Sequence, residues 1–153
     1  MASRLKKSGS LAAALVALVA GFEGLRTYAY RDPVGIPTIC FGETRGVQMG
    51  DRATVEECNG MLKDRLLEFE NGMRFCLRSP DTIPDGAYIA TLSFTYNVGV
   101  MAFCNSTLRR KLDAGDIRGA CDELPKWVMA RGIKLPGLVK RRALERDVCL
   151  KGL

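Results

Sequence analysis

Residues 22–44 read FEGLRTYAYRDPVGIPTICFGET. Three polar side chains punctuate this stretch. Glu23 ends an apolar, helix-like run, Asp32 follows nine positions later in the turn RDPVG, and Thr38 comes six positions after that. The switch from an apolar run to a segment rich in Gly, Pro, Thr and aromatics predicts helix over 9–23, then two or three short strands with tight turns over 25–50. Two carboxylates held in unlike surroundings are what glycoside hydrolysis requires. One must keep a proton for the leaving oxygen, and the other must stay ionised to handle water or the sugar cation.

Downstream, the signals are helical. Thr54 and Glu57 have capping-box spacing, so a long helix should start there and run towards Phe75. Ser79 to Pro84 reads as a break. Pro84 then opens a helix through Asn97, with Ile89, Leu92, Phe94 and Tyr96 giving it apolar character, and Gly99 stops it. Ser106 or Thr107 should cap the next helix, and Asp116 a short one. Pro136-Gly137 precedes a basic helix to about Lys151, in which Leu138, Leu144 and Val148 are expected to face the core. The predicted class is α+β, mostly helical, in a single domain spanning 1–153. Within it, 1–22 is a basic tail and apolar helix, 25–52 a small β lobe, and 53–153 a larger helical lobe.

The length of 153 residues suits one domain with a proper core. The chain contains no histidine, which removes Ser-His-Asp and Cys-His catalysis and any His-bearing zinc site. Neither a metal nor a cofactor is expected. The formal net charge of +6 suits an anionic partner. Peptidoglycan, whose stem peptides carry carboxylates, qualifies, and so do nucleic acid and acidic lipid, so charge alone does not choose among them.

Six cysteines, Cys40, Cys58, Cys76, Cys104, Cys121 and Cys149, are many for a cytosolic protein of this size. None lies in a C-x-x-C pair, which argues against a zinc knuckle or thioredoxin-like motif. An even count at wide spacing points to disulfides and an oxidising compartment. About fifteen pairings are open to six cysteines. Pairing of neighbours, Cys40–Cys58, Cys76–Cys104 and Cys121–Cys149, is the working expectation. Free buried thiols acting as small apolar side chains are the alternative.

Arg4, Lys6 and Lys7 precede the run Leu11 to Phe22, LAAALVALVAGF. A basic region followed by about a dozen apolar residues has the length of a signal h-region and is short for a membrane span. Cleavage after Ala20 would leave Glu23 with no helix to hold it. In one reading the segment is the first core helix, capped by Ser8 or Ser10, which delivers Glu23 at its C-terminal end. In the other it also serves as an export signal that enters the membrane weakly, because alanines dilute its hydrophobicity, and later slips out.

The order Glu, eight residues, Asp, five residues, Thr, within the frame G-L-R-x-x-A-Y-x-D-x-x-G-x-x-T-I, resembles the phage-type lysozymes, the endolysins of glycoside hydrolase family 24. Further along, Ser93-Phe94, Tyr96-Asn97-Val98-Gly99, Ala102-Phe103, Asn105 to Leu108, Gly115-Asp116, Trp127, Gly137-Leu138, Arg141-Arg142 and Glu145 look like that family's helical half. The resemblance covers roughly residues 9–151 and implies a lysozyme-like two-lobed domain with a cleft between lobes. It implies a muramidase that cuts the β-1,4 bond between N-acetylmuramic acid and N-acetylglucosamine, acting on peptidoglycan glycan strands as a monomer, without nucleic acid, in host-cell lysis. Glu23 would be the general acid. To donate at neutral pH its pKa must lie above the usual value of about 4.3, and burial beside Phe22 and Leu25 could raise it. Asp32 would orient or deprotonate the attacking water, and Thr38 would hold it. An inverting reaction implies carboxyl groups about 6.5–9.5 Å apart.

By the same resemblance, Thr44, Tyr96, Asn97 and Ser106 line the saccharide cleft, and Arg141 or Arg142 approaches Glu23, with Arg142 the candidate for substrate contact. Each also has a plainer role, as a turn, core, cap or solvated basic residue. Some members of the family are exported through a signal-arrest-release segment. That implies transient inner-membrane association through residues 4–22 and action in the host periplasm, with release from the cytoplasm by a holin as the alternative. Two departures fall close to the site. The family commonly has T-I-G-x-G-H-T, whereas this chain has Cys40 for the glycine and Glu43 for the histidine. A third comes before the last helix, where Ala130-Arg131-Gly132 replaces A-G-G. A lytic transglycosylase, or a basic binding protein with a degenerate site, would be the competing functions.

Overall fold

The Ser8 hydroxyl accepts the Leu11 N–H at 3.2 Å and starts a helix. The computed structural model describes residues 2–153. A first turn, α1 (Arg4–Lys7), is capped by Ser3. It leads into α2 (Gly9–Glu23), which ends where Gly24 takes φ 72°. Positive φ costs glycine nothing, so the chain can turn sharply just after Glu23. Strand β1 (Arg26–Arg31) then pairs antiparallel with β2 (Pro37–Cys40), with Arg31 opposite Pro37, Tyr30 opposite Thr38 and Arg26 opposite Cys40. The register slips between Tyr30 and Arg26. The surplus residues of β1 turn to the segment 51–53: the Ala29 N–H donates to the Asp51 carbonyl and the Ala53 N–H to the Thr27 carbonyl, both at 2.9 Å. The β region thus holds two strands, with further bridges Tyr28–Arg52 and Ile39–Glu43.

Thr54 and Glu57 form the capping box that opens α3 (Val55–Phe75): the Thr54 hydroxyl accepts the Glu57 N–H at 3.1 Å, and the Glu57 carboxylate accepts the Thr54 N–H at 2.8 Å. α4 (Asp85–Val98) is buried without interruption from Ala87 to Thr95, which makes it the central helix of the body. Around it lie α5 (Val100–Cys104), α6 (Thr107–Asp113), α7 (Ile117–Glu123) and α8 (Pro136–Leu150), with a short hairpin of β3 (Met129–Ala130) and β4 (Ile133–Lys134). α4 meets α8 closely at Gly86, where a Cβ would lie 2.4 Å from the Val148 carbonyl oxygen. Leu15, Val19, Leu66, Met73, Leu92, Phe94 and Phe103 fill the core. Arg131, in the departure before α8, takes φ 51° at the tip of the β3–β4 hairpin.

The cysteines pair as neighbours: Cys40–Cys58 joins the β hairpin to α3, Cys76–Cys104 joins the end of α3 to α5, and Cys121–Cys149 joins α7 to α8. Each is worth about 2–4 kcal/mol by restricting the unfolded chain.

The inner face of α8 is where the structure departs from expectation. Leu144 is 51 % exposed, and the buried residues are Arg141, Arg142, Glu145 and Cys149. Charged groups can occupy that face because they satisfy one another. Arg142 donates to Glu145 Oε1 at 2.6 Å, Ser93 Oγ donates to Glu145 Oε2 at 2.6 Å, and Arg141 lies 3.4 Å from the same oxygen. A hydrophobic pattern cannot reveal such a face, since burial of ions depends on pairing and not on apolarity.

Candidate active site

Glu23 is the last residue of α2, with its side chain one-quarter exposed. Arg141 reaches it from α8 and donates Nη1–H to Glu23 Oε1 at 2.8 Å. The same guanidinium donates to the Ser93 carbonyl at 3.2 Å and lies 4.6 Å from the centre of the Phe22 ring. The acid is therefore held from α8, α4 and its own helix.

Asp32 opens the turn between β1 and β2. Its Oδ1 accepts the N–H groups of Val34 (3.0 Å) and Ile36 (2.9 Å), and its own N–H donates to the Ile36 carbonyl at 3.0 Å. Thr38 is buried, and its hydroxyl donates to that same Ile36 carbonyl at 2.9 Å. Asp32 and Thr38 therefore meet at one residue, and the turn fixes the two relative to each other.

Tyr96, near the end of α4, is packed edge-on against Phe69 of α3, ring centres 5.0 Å apart. Burial pushes its phenol above the usual range. The Glu23 and Glu43 carboxylates push the same way, while Arg65 and Arg141 oppose them. Tyr96 is thus close enough to feel the charges of both the α2 terminus and the turn after β2. A small recess lined by Phe41, Glu43, Arg65 and Tyr96 opens here.

Glu43, the third carboxylate, is already engaged. Its Oε1 accepts the N–H groups of Thr44 and Arg45, both at 3.0 Å, and its Oε2 lies 3.4 Å from Arg65 Nε on α3. Arg45 in turn forks onto Glu68 at 2.8 and 3.1 Å. Arg65 was not singled out from the sequence: its i,i+3 pair with Glu68 reads only as a solvated helix face, and nothing local connects it to the hairpin.

Thr44 and Asn97 are exposed and Tyr96 is half-buried, so all three can meet a ligand. Two expected substrate contacts, Arg142 and Ser106, are buried. Arg142 is 1 % exposed, and its donors go to Glu145, the Trp127 carbonyl (2.9 Å) and Asn97 Oδ1. Burial lowers its pKa, opposed by Glu145. Ser106 is 4 % exposed; it donates to the Phe103 carbonyl at 2.6 Å and accepts the Arg109 N–H at 3.0 Å as the cap of α6. Both are internal supports whose polar atoms are taken up by protein partners.

An acid at a helix end, a β hairpin carrying a second carboxylate, and a helical body that holds the first are parts that a lysozyme-type glycosidase requires. The sequence matches the phage lysozyme family over residues 20–145, and the chain belongs to that family, the muramidases of the endolysin class. It is 41% identical over 133 residues to the SAR-endolysin of Bacteriophage PS119, covering 86% of this chain and 78% of that one. It is 39% identical over 149 residues to the SAR-endolysin of Pseudomonas phage phiKMV, covering 95% and 91%. In three dimensions it is similar to the active form of P1 phage endolysin Lyz, with a TM-score of 0.80 at 28% identity over 91% of this chain and 84% of that one. The secreted inactive form of the same endolysin gives 0.58.

Proposed function

We propose that this muramidase hydrolyses the β-1,4 bond between N-acetylmuramic acid and N-acetylglucosamine with inversion at the anomeric carbon. Glu23 gives its proton to the leaving oxygen. Asp32 and Thr38 handle the attacking water, and Thr44, Tyr96 and Asn97 contact the saccharide. The observation that carries this reading is the junction at Ile36, which makes Asp32 and Thr38 one rigid unit. Positioning of that kind is what an inverting site needs, because the water must be held on the face opposite the acid. Asp32 Oδ1 serves the turn, so Oδ2 is the oxygen assigned to the water.

Glu23→Gln should abolish clearing of a cell-wall suspension while the fold remains. NMR of the first sugar released by the wild-type chain should show the inverted α-anomer at the new reducing end. A β-anomer would remove the water-positioning role of Asp32 and Thr38. Products ending in 1,6-anhydro sugars would make the protein a lytic transglycosylase.

The same reading places the enzyme in the host periplasm after transient membrane association through residues 4–22. Three disulfides and two relatives named SAR-endolysins support it. No helix among the described residues is long and apolar enough to cross a membrane, and α2 has 15 residues, so entry would be shallow or strained, as release requires. Fractionation of expressing bacteria tests this: a chain found only in the cytoplasm, with no membrane-held pool, would refute it.

A further inference from the structure

We propose that the Cys40–Cys58 bond is a positioning device for the muramidase site, holding residue 40 in a left-handed conformation and thereby fixing the end of the strand that carries Thr38. The inference rests on the assignment of Thr38 to the attacking water.

Cys40 has φ 62°, one of two residues other than glycine with positive φ among the described residues. L-residues with a Cβ leave this region readily, and glycine enters it freely. Cys40 stands at a corner. On one side is Thr38, paired with Tyr30 in the hairpin. On the other, the chain closes on itself: the Ile39 N–H donates to the Glu43 carbonyl and the Glu43 N–H to the Ile39 carbonyl, both at 2.9 Å. Gly42, with φ 90°, completes this tight loop. If residue 40 relaxed to negative φ, the Ile39–Glu43 bridge could not close. Glu43 would then lose its position against the Thr44 and Arg45 amides and Arg65, and Ile39, next to Thr38, would lose its partner.

The side chain of Cys40 supplies what its backbone lacks. It is 1 % exposed and bonded to Cys58, which is fully buried in the first turn of α3. The tie runs from the strained corner to the longest helix of the body. The Glu43–Arg65 pair runs from the far side of the same loop to the same helix. Two anchors on α3 therefore bracket the loop.

The test separates the conformation of residue 40 from the crosslink. C40G/C58A, C40N/C58A and C40A/C58A all lack the bond and differ in how well residue 40 tolerates the left-handed region, glycine most and alanine least. Activity on purified peptidoglycan is measured in oxidised preparations that keep the other two disulfides, below the melting temperature of each variant. The expected order of kcat is Gly, then Asn, then Ala, with Ala about tenfold below Gly, matching the population a residue with a Cβ loses from this region, and with KM unchanged within about twofold. If the alanine variant does not fold, the Gly-against-Asn comparison still reports. Equal kcat across the folded variants overturns the proposal, whether all are active (residue 40 does not matter) or all inactive (the crosslink alone matters), and so does an effect confined to KM. Thr38→Val in the disulfide-bonded chain tests the underlying assignment separately: full activity there would sink the role of Thr38 whatever the series at position 40 shows.

Discussion

Arg141 and Glu23 lie 118 residues apart in sequence and 2.8 Å apart in space. This pair ties the last helix to the C-terminal end of α2. Arg141 also reaches the Ser93 carbonyl and lies beside Glu145, so three helices converge on one guanidinium. Arg141→Met should reduce wall clearing about tenfold or more, because a misplacement of about 1 Å at a reacting group can cost on the order of a hundredfold. Arg141→Lys should recover only part of this, since one ammonium cannot reproduce the forked reach to Glu23 and Ser93 together. Turbidity assays on cell walls, with circular dichroism to verify folding, provide the check. Wild-type activity in the methionine variant would show that the pair has no part in positioning the acid.

Glu145 is fully buried and depends on Arg142, Arg141 and Ser93. Removing Arg142 leaves a buried carboxylate without its nearest cation, and breaking such a pair costs about 3–5 kcal/mol. Arg142→Met should therefore lower the urea midpoint strongly. Arg142→Met/Glu145→Leu should be less damaged than the single variant, because it removes the stranded charge as well. A single variant that unfolds at the wild-type urea concentration would mean the network contributes little.

What could be read along the chain follows the range of the forces involved. Helix starts were legible because a cap is local: Ser8, Thr54, Ser106 and Asp116 each accept an N–H from three residues on. The acid at the end of α2 and the turn at Asp32 were legible for the same reason. The buried face of α8 was not, because Arg142 and Glu145 become core residues only through partners on α4 and near Trp127. Neither was the engagement of Glu43 by Arg65, nor the left-handed backbone at Cys40, since both involve partners on α3 that lie far along the chain. The pairing of neighbouring cysteines agreed with expectation, but no local signal had excluded the other connectivities.

Glu123 of α7 is one carboxylate whose ion pairing makes the fold sensitive to acid. The hydrogen bond from Lys111, at 2.6 Å, holds its carboxyl below the ordinary value of 4.5; burial opposes this, and a second bond from Lys126 assists. The folded pKa is depressed, so the unfolded chain takes up this proton first. The stability from Glu123 is complete above 4.5 and is lost as pH falls through the lower folded value. In a series of melting curves from about pH 6 to about pH 3, the gap between wild type and Glu123→Gln should be widest at the top and narrow towards the bottom. A constant gap would assign the effect of the substitution to packing.

Glu70 of α3 is fully buried, and the N-terminal segment folds onto it. Its carboxylate accepts the Arg4 N–H at 2.9 Å, the Leu5 N–H at 3.2 Å, the Tyr88 hydroxyl at 2.6 Å and the Ser3 hydroxyl. The Arg4 side chain continues the attachment, donating to the Pro80 and Ile83 carbonyls at 3.2 and 2.7 Å and resting over the Tyr88 ring. Hydrogen bonds to a charged group are each worth about 1.5–3 kcal/mol, and three of the four partners of Glu70 come from residues 3–5. Glu70→Gln keeps the shape but removes the charge and one acceptor oxygen, so the segment before α2 should open more often. Brief trypsin treatment should then cut after Lys6 or Lys7 at least several-fold faster than in wild type, while the rest of the chain, held by three disulfides, stays resistant. Hydrogen exchange at the Arg4 and Leu5 amides should accelerate in parallel, with Leu66 and Met73 in the same helix unaffected. Equal cutting and exchange in the two proteins would mean that α1 is held by Leu5 in the core and by Arg4 alone, and that the carboxylate is incidental to it.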